Sequence, residues 1–294
     1  MAGAVSAAGG LGSIAGAMST PEQLRAAIAD VRTRTSAPFA VNLFAPQPAP
    51  ATDRVPQWSE LTGVPFAGPP VIPDVGEQLA VIAAERVPVL SFTFGIPPLE
   101  GVNAVRIGTA TTVAEAVALE RAGVDAVVAQ GYEAGGHRGT FLEAVDRSLI
   151  GTLALVPQIV SAVSVPVIAS GGIMDGRGIA AALALGAQAV QLGTAFLRCP
   201  EAGTLDRHRA ALGTDTVITR VLTGRSARAV RTPLVDRLEA SGLEPPEYPL
   251  PRALSPEPPM LAGQAGGLAR SIPAGDLVRI LVTETDQALA QLST

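Results

Sequence analysis

Apolar runs and polar breaks alternate along most of the chain with one rhythm. Short runs rich in valine, isoleucine and alanine begin near residues 11, 39, 87, 105, 125, 166 and 189. Each is apolar on both faces, as a strand covered on both sides of a parallel sheet must be. Helical spacing fills most of the intervals. Ser19-Thr20-Pro21-Glu22 is a start signal for a helix through 24–31, with hydroxyl caps ahead of a proline suited to the first turn. Further helices are predicted over 76–84, over 113–122 closed by Gly123, over 149–163 with Pro157 kinking it or marking its first turn, and from Asp175-Gly-Arg-Gly178 to Gly186. Residues 5–10 read as the tail of a helix closed by Gly9-Gly10. Residues 45–73 are proline-rich, hold the only tryptophan, Trp58, and read as an irregular excursion around at most one short helix. Only 96–104 separate two strands, so any crossover helix there is stunted.

Strand alternating with helix from residue 11 to 197 predicts an α/β fold with a parallel sheet. A closed TIM (β/α)₈ barrel needs eight strands, and the pattern supplies seven. The expectation is a barrel of that type whose first strand would precede Met1; an open doubly wound sheet is the competing fold. Past residue 203 the rhythm changes. Residues 204–260 show helical stretches, many arginines (Arg220, Arg225, Arg228, Arg231) and no strand rhythm, which predicts a small helical domain over the mouth of the barrel with its arginines as a solvated face. A proline-dense segment at 245–259 leads into 261–294, a glycine-rich stretch and a final amphipathic helix over 274–292 returning to the barrel.

Composition narrows the chemistry. The hydrophobic fraction is 48% against 3% aromatic, so the core is aliphatic. A net charge of −5, with no basic run and no aromatics interleaved with basic residues, argues against nucleic acid as a partner. One cysteine, Cys199, excludes an internal disulfide framework and a multi-thiolate metal site, so no metal is expected and a reducing cytoplasm fits. The apolar N-terminus lacks a basic region and is broken by glycines, and no run is long enough to span a bilayer.

The densest candidate chemistry is Gln130-Gly-Tyr-Glu-Ala-Gly-Gly-His-Arg-Gly139, which begins where the strand at 125–129 ends. In a parallel barrel that edge is the reactive one. Gly135 and Gly136 let the backbone approach a planar or phosphorylated ligand and leave the imidazole of His137 facing it; the bland alternative is a glycine turn beside a surface histidine. Asn42 lies inside the apolar run 39–44, where its amide needs a partner, either backbone or ligand. Ser170-Gly171-Gly172 and Gln191-Leu192-Gly193-Thr194 end two consecutive strands, the pair that in barrels commonly offers backbone N–H groups to a phosphate. A phosphorylated cofactor is the natural expectation.

These motifs, with Ala8-Gly-Gly-Leu-Gly-Ser-Ile14, Val41-Asn-Leu-Phe44, Thr223-Gly-Arg225 and Ala262-Gly-Gln264, resemble the nitronate monooxygenase family over nearly the whole chain. The resemblance implies a barrel holding FMN, contacted by Asn42, Gln130, Gly135, Gly172, Gln191, Leu192, Gly193 and Thr194, with His137 as the active-site histidine. The implied reaction oxidises an alkyl nitronate with O₂ to a carbonyl compound and nitrite. The alternatives are an FMN-dependent NAD(P)H:quinone or enoyl-acyl-carrier-protein reductase of the same superfamily, or a truncated, non-catalytic flavin-binding protein. The implied partners are a small nitronate or nitroalkane and O₂, and a homodimer is compatible with them. Two departures from the family pattern stand out: Thr93 where a histidine often follows the Ser-Phe pair, and Leu261 where a bulkier residue usually precedes Ala-Gly-Gln.

Overall fold

Helix starts and strand ends in the computed structural model, which describes residues 1–292, follow the capping and burial logic of the sequence. The last two residues of the 261–294 segment therefore lie outside the described residues. The first half runs α1 (Ala2–Ala7), β1 (Gly12–Ala15), α2 (Pro21–Arg34), β2 (Phe39–Phe44), α3 (Val55–Thr62), α4 (Val75–Ala84), β3 (Val89–Thr93), β4 (Val105–Ala110), α5 (Val113–Arg121) and β5 (Ala126–Gln130). Thr20 accepts from the Gln23 N–H while the Gln23 side chain returns to the Thr20 N–H, and Pro21 opens the helix, so α2 starts on a full capping box worth about 1 kcal/mol. Asp74 and Thr112 cap α4 and α5 by accepting the N–H three residues on, without the reciprocal bond.

The second half contains β6 (Gly136–His137), α6 (Thr152–Ala162), β7 (Val167–Ser170), α7 (Gly176–Ala184), β8 (Ala189–Gln191), α8 (Asp206–Ala211), β9 (Thr216–Thr219), β10 (Ala227–Val230), α9 (Pro233–Ala240), α10 (Leu250–Ala253) and α11 (Ala274–Leu292). Pro157 lies inside α6, past its first turn.

Seven strands form one parallel sheet in the order β1-β2-β3-β4-β5-β7-β8. The order follows the chain without a reversal, which a doubly wound sheet would require. Among the described residues no ladder joins β1 to β8, so the sheet is a curled half-barrel of the TIM type. Its aliphatic core sets Val41, Leu43, Leu90, Val127 and Ala169 against Leu24, Ile28, Leu119, Leu155 and Ile159 from the helices.

The 204–260 region departs from the sequence expectation. It carries helices, but β10 pairs antiparallel with β9 on one side and with β6 on the other. The strand rhythm was hidden because β10 reads Ala-Arg-Ala-Val, with Arg228 interrupting the apolar run, yet Arg228 is 1% exposed. Trp58, from the proline-rich excursion, is buried against Val221, Leu222, Val235 and Leu238, so residues 45–73 pack on this region. Among the described residues no helix is long and apolar enough to cross a membrane.

Candidate active site

All seven parallel strands end at the same edge, and the register shows which side chains share it. Asn42 stands opposite Ser91, and Gln130, Ser170 and Gln191 form one row across β5, β7 and β8. The Asn42 amide donates to Ser91 Oγ at 2.9 Å, so its partner is a neighbouring side chain, while its Oδ1 takes no hydrogen bond among the described residues.

Gln130 does not project freely. Its Nε2 donates to the His137 carbonyl at 3.0 Å and its Oε1 accepts from the Gly139 N–H at 2.8 Å, which ties the end of β5 to the loop that returns over it. His137 is then held in β6 opposite Ala227 of β10. Its Nε2 lies 3.1 Å from Thr223 Oγ1. Phe44, Phe94 and Tyr248 surround the imidazole edge to face, with ring centroids 6.2, 5.6 and 5.4 Å away. Burial among these rings, followed by the positive charges of Arg225 and Arg252, pushes His137 down from 6.5 to about 4. The ring is neutral at neutral pH.

Donor bookkeeping assigns its tautomer. Thr223 Oγ1 has one hydrogen and gives it to the Arg225 carbonyl at 2.8 Å, so toward His137 it can only accept. Nε2 carries the proton, and Nδ1, which has no partner among the described residues, carries the lone pair.

Gly135 is a close-approach glycine. A Cβ there would meet Gly263 N at 2.4 Å and Ala262 C at 2.5 Å, so its demand comes from the 262–264 segment crossing over the loop. That segment is bound on both sides: Gln264 N–H donates to the Glu133 carbonyl at 3.0 Å, and Gly263 N–H donates to Thr194 Oγ1 at 2.9 Å. The Thr194 side chain is thereby spent on the protein. Gly171 and Gly172, at φ 116° and 72°, turn the chain sharply beside Glu133 and Thr152. Gly172, Gln191 and Gly193 are exposed, Leu192 is half-buried against the core, and among the described residues neither Gly172 nor Gly193 gives its N–H to a backbone carbonyl.

The structure thus brings His137, Gln130 and Gly135 into one loop, places Gly172 against it through Glu133, and joins Thr194 to it through Gly263. Asn42 sits farther round the edge and reaches His137 through Phe44. Exposed N–H groups at two adjacent strand ends, with a half-buried neutral imidazole and open amides along the same edge, fit a phosphorylated planar cofactor. A cavity of about 390 Å³, lined by Thr152, Leu153, Gly172, Ala181 and Leu185, opens beside this corner between α6 and α7, away from His137.

Several contributing residues were not among the site residues expected from the sequence, although Glu133 stands in its densest run. Glu133 accepts from the Thr152 N–H at 2.9 Å and from the Thr152 hydroxyl at 2.8 Å, closing the N-terminus of α6. Arg225 lies 3.7 Å over the Phe94 ring, and its guanidinium donates to Gln47 Oε1 at 2.7 Å and the Thr140 carbonyl at 2.8 Å. Arg225 is half-buried and Arg228 buried, whereas Arg220 and Arg231 are exposed, so the solvated-face reading holds for only two of the four. The signal for Arg225 was its place directly after Thr223-Gly224. Tyr248 and Phe94 carried none. Thr93, standing where a histidine often occurs, pairs with Thr109 at 3.3 Å.

Comparison with known proteins places this arrangement. A family model described as nitronate monooxygenase matches residues 1–284. The nitronate monooxygenase of Pseudomonas aeruginosa is 42% identical, covering 97% of this chain and 92% of that protein. A probable nitronate monooxygenase of Staphylococcus aureus is 38% identical over 97% of the chain and 90% of its own length. Among solved structures, nitroalkane oxidase from Streptomyces ansochromogenes superposes with a TM-score of 0.91 at 37% identity, covering 99% of this chain and 92% of that one. FabK from Thermotoga maritima superposes with a TM-score of 0.76 at 30% identity, covering 99% and 90%.

Proposed function

Because the chain belongs to the nitronate monooxygenase family, an enzyme family of oxidoreductases, we propose that it is FMN-dependent and oxidises alkyl nitronates with O₂ to carbonyl compounds and nitrite. The observation that carries this reading is a neutral imidazole held at the edge where, among the described residues, Gly172 and Gly193 give their N–H groups to no carbonyl. Gly172, Gly193 and the Thr194 N–H would hold the phosphate, with Asn42, Gln130 and Gln191 along the ring system. Gln130 does so while anchoring the His137 loop, and Gly135 contributes by letting the 262–264 segment close. FMN, when bound, supplies the acceptor for the substrate's electron and the donor for O₂.

The protein's own part follows from the charges. With Nε2 committed to Thr223, His137 meets the substrate through Nδ1, which can accept the α-proton of a neutral nitroalkane but, at about 4, is a weak base for that task. A preformed nitronate needs no proton removed. The positive field of Arg225 and Arg252 that keeps His137 neutral also favours that anion over its neutral parent. Phe44, Phe94 and Tyr248 exclude water from the same space.

The test is reconstitution with FMN followed by aerobic turnover of ethyl nitronate, scored by O₂ uptake and nitrite. Expected is stoichiometric nitrite and no rapid flavin bleaching by NADH under argon. Fast anaerobic bleaching without nitrite formation would transfer the protein to the reductase alternative.

A further inference from the structure

We propose that Arg225 is the residue through which this site selects a planar, two-oxygen anion, and hence the nitronate over the nitroalkane. The proposal rests on the monooxygenase reading for the identity of the substrate, but its physical basis is independent of it.

The guanidinium is half-buried and, among the described residues, the groups it touches are neutral: the Gln47 amide, the Thr140 carbonyl and the face of Phe94. Glu115, a nearby carboxylate that acts on it, is spent on the Thr111 N–H and hydroxyl, the Thr140 hydroxyl and the N–H groups of Phe141 and Leu142. A cation withdrawn from water without a counter-ion is costly, and the cost is recovered when an anion binds. The guanidinium is also held in place: two of its five N–H groups are committed at 2.7 and 2.8 Å, which leaves a fork of donors in a defined plane. Its central carbon lies 3.7 Å over the ring of Phe94, which stands 5.6 Å from His137.

Phe94 gives a second, separate indication. It adopts φ 75°, a conformation that non-glycine residues rarely take. The strain brings one ring against Arg225 on its face and against His137, Phe44 and Tyr248 around it. A nitronate presents two oxygens on one nitrogen in a plane, the spacing that a guanidinium fork pairs with in carboxylates. A neutral nitro group has the same shape with little charge, so Arg225 discriminates by charge and Phe94 keeps the fork aligned.

The experiment compares FMN-loaded wild type, Arg225→Met and Arg225→Lys, with melting temperature and flavin content as folding controls. Loss of a charged hydrogen-bonded contact lowers kcat/KM for ethyl nitronate about 10- to 100-fold in Arg225→Met, through KM, while kcat/KM for nitroethane does not fall with it, because removing Arg225 also relieves part of the depression of His137. Lysine restores part of the loss, because it keeps the charge without the fork. In parallel, binding of propionate to each protein is followed by NMR of the His137 ring. Propionate should perturb the wild-type ring and lose affinity by a similar factor in Arg225→Met. Equal losses for nitronate and nitroethane at unchanged flavin content would show that Arg225 serves the flavin instead, and would overturn the proposal. Unchanged propionate affinity in Arg225→Met would overturn it too. If wild type turns over neither substrate while propionate binding still depends on Arg225, the anion site stands and the monooxygenase reading falls.

Discussion

Acidifying the protein from pH 7 to pH 4 should cost stability through one identifiable ring. His137 titrates near 6.5 in the unfolded chain and at about 4 in the folded one, because burial among Phe44, Phe94 and Tyr248 and the fields of Arg225 and Arg252 oppose its charge. The unfolded state therefore takes up the proton first. Above pH 6.5 both states hold a neutral ring and the group contributes nothing to the pH dependence. Between 6.5 and 4 only the unfolded state gains, so folding stability declines, and below 4 both are protonated and the decline stops. At 1.36 kcal/mol per pH unit the full difference amounts to roughly 3 kcal/mol, an upper figure for a ring that retains some solvent contact.

The measurement is urea denaturation of the FMN-saturated protein at intervals from pH 4 to 8, for wild type and His137→Asn. Asp125 and Asp175, whose carboxyls are held low chiefly by Arg106 and Arg177, lose their own contribution as pH falls, but they do so in both proteins and cancel in the difference. Wild type minus variant should slope between pH 6.5 and 4 and be level above. A difference that stays level throughout that window would mean that His137 keeps its ordinary titration, and the neutral-ring argument would fail with it. The same reasoning removes any His137 limb near pH 6.5 from kcat/KM for a preformed nitronate.

Two further perturbations test the frame around that ring. Gly135→Ala should lower stability by about 1–3 kcal/mol, read as a drop in melting temperature, because its Cβ would stand 2.4 Å from the Gly263 backbone and neither strand of the crossing can retreat freely. Thr223→Val should leave flavin content intact and slow turnover of neutral nitroalkanes about tenfold, the worth of one hydrogen bond to a reacting ring. ¹⁵N NMR should then show the imidazole as a mixture of tautomers, whereas retention of the pure Nε2–H form would refute the donor assignment.

The parallel half of the fold was readable because its signals are local. Thr20 with Gln23 and Pro21, Asp74, Thr112 and Asp175 each announce a helix by a hydrogen bond spanning two or three residues, and the strands between are mostly apolar runs. The His137 loop and the glycine corners at 172 and 193 were readable for the same reason, since they follow directly from strand ends. Arg225, Tyr248 and Phe94 were not, because they come from distant parts of the chain and meet His137 only through the fold. β10 was missed on different grounds. A burial-based reading scores arginine as exposed, and Arg228 is buried because the Tyr132 carbonyl and the Thr216 hydroxyl accept from it.

A glycine-rich loop needs other groups to hold the His137 ring still. Gly131, Gly135, Gly136 and Gly139 allow the backbone its path but anchor nothing. Two guanidiniums do the anchoring from opposite sides. Arg138, 1% exposed, donates to the carbonyls of Gln130, Gly131 and Ser148 at 3.2, 2.7 and 2.7 Å, which binds the start of the loop to the segment leading into α6. Arg228 donates twice to the Tyr132 carbonyl, at 3.1 and 2.9 Å, lies 4.4 Å over the Tyr132 ring, and pairs in register with Gly136. Among the described residues the Tyr132 carbonyl has no other donor, and leaving it unpaired would cost about 1–3 kcal/mol, so Arg228 in particular adds to the Gln130 anchor in holding this loop in one conformation. Since Arg228 belongs to β10, the 204–260 region is part of the frame of the site: His137 is positioned as much by the antiparallel sheet as by the barrel edge from which its loop departs.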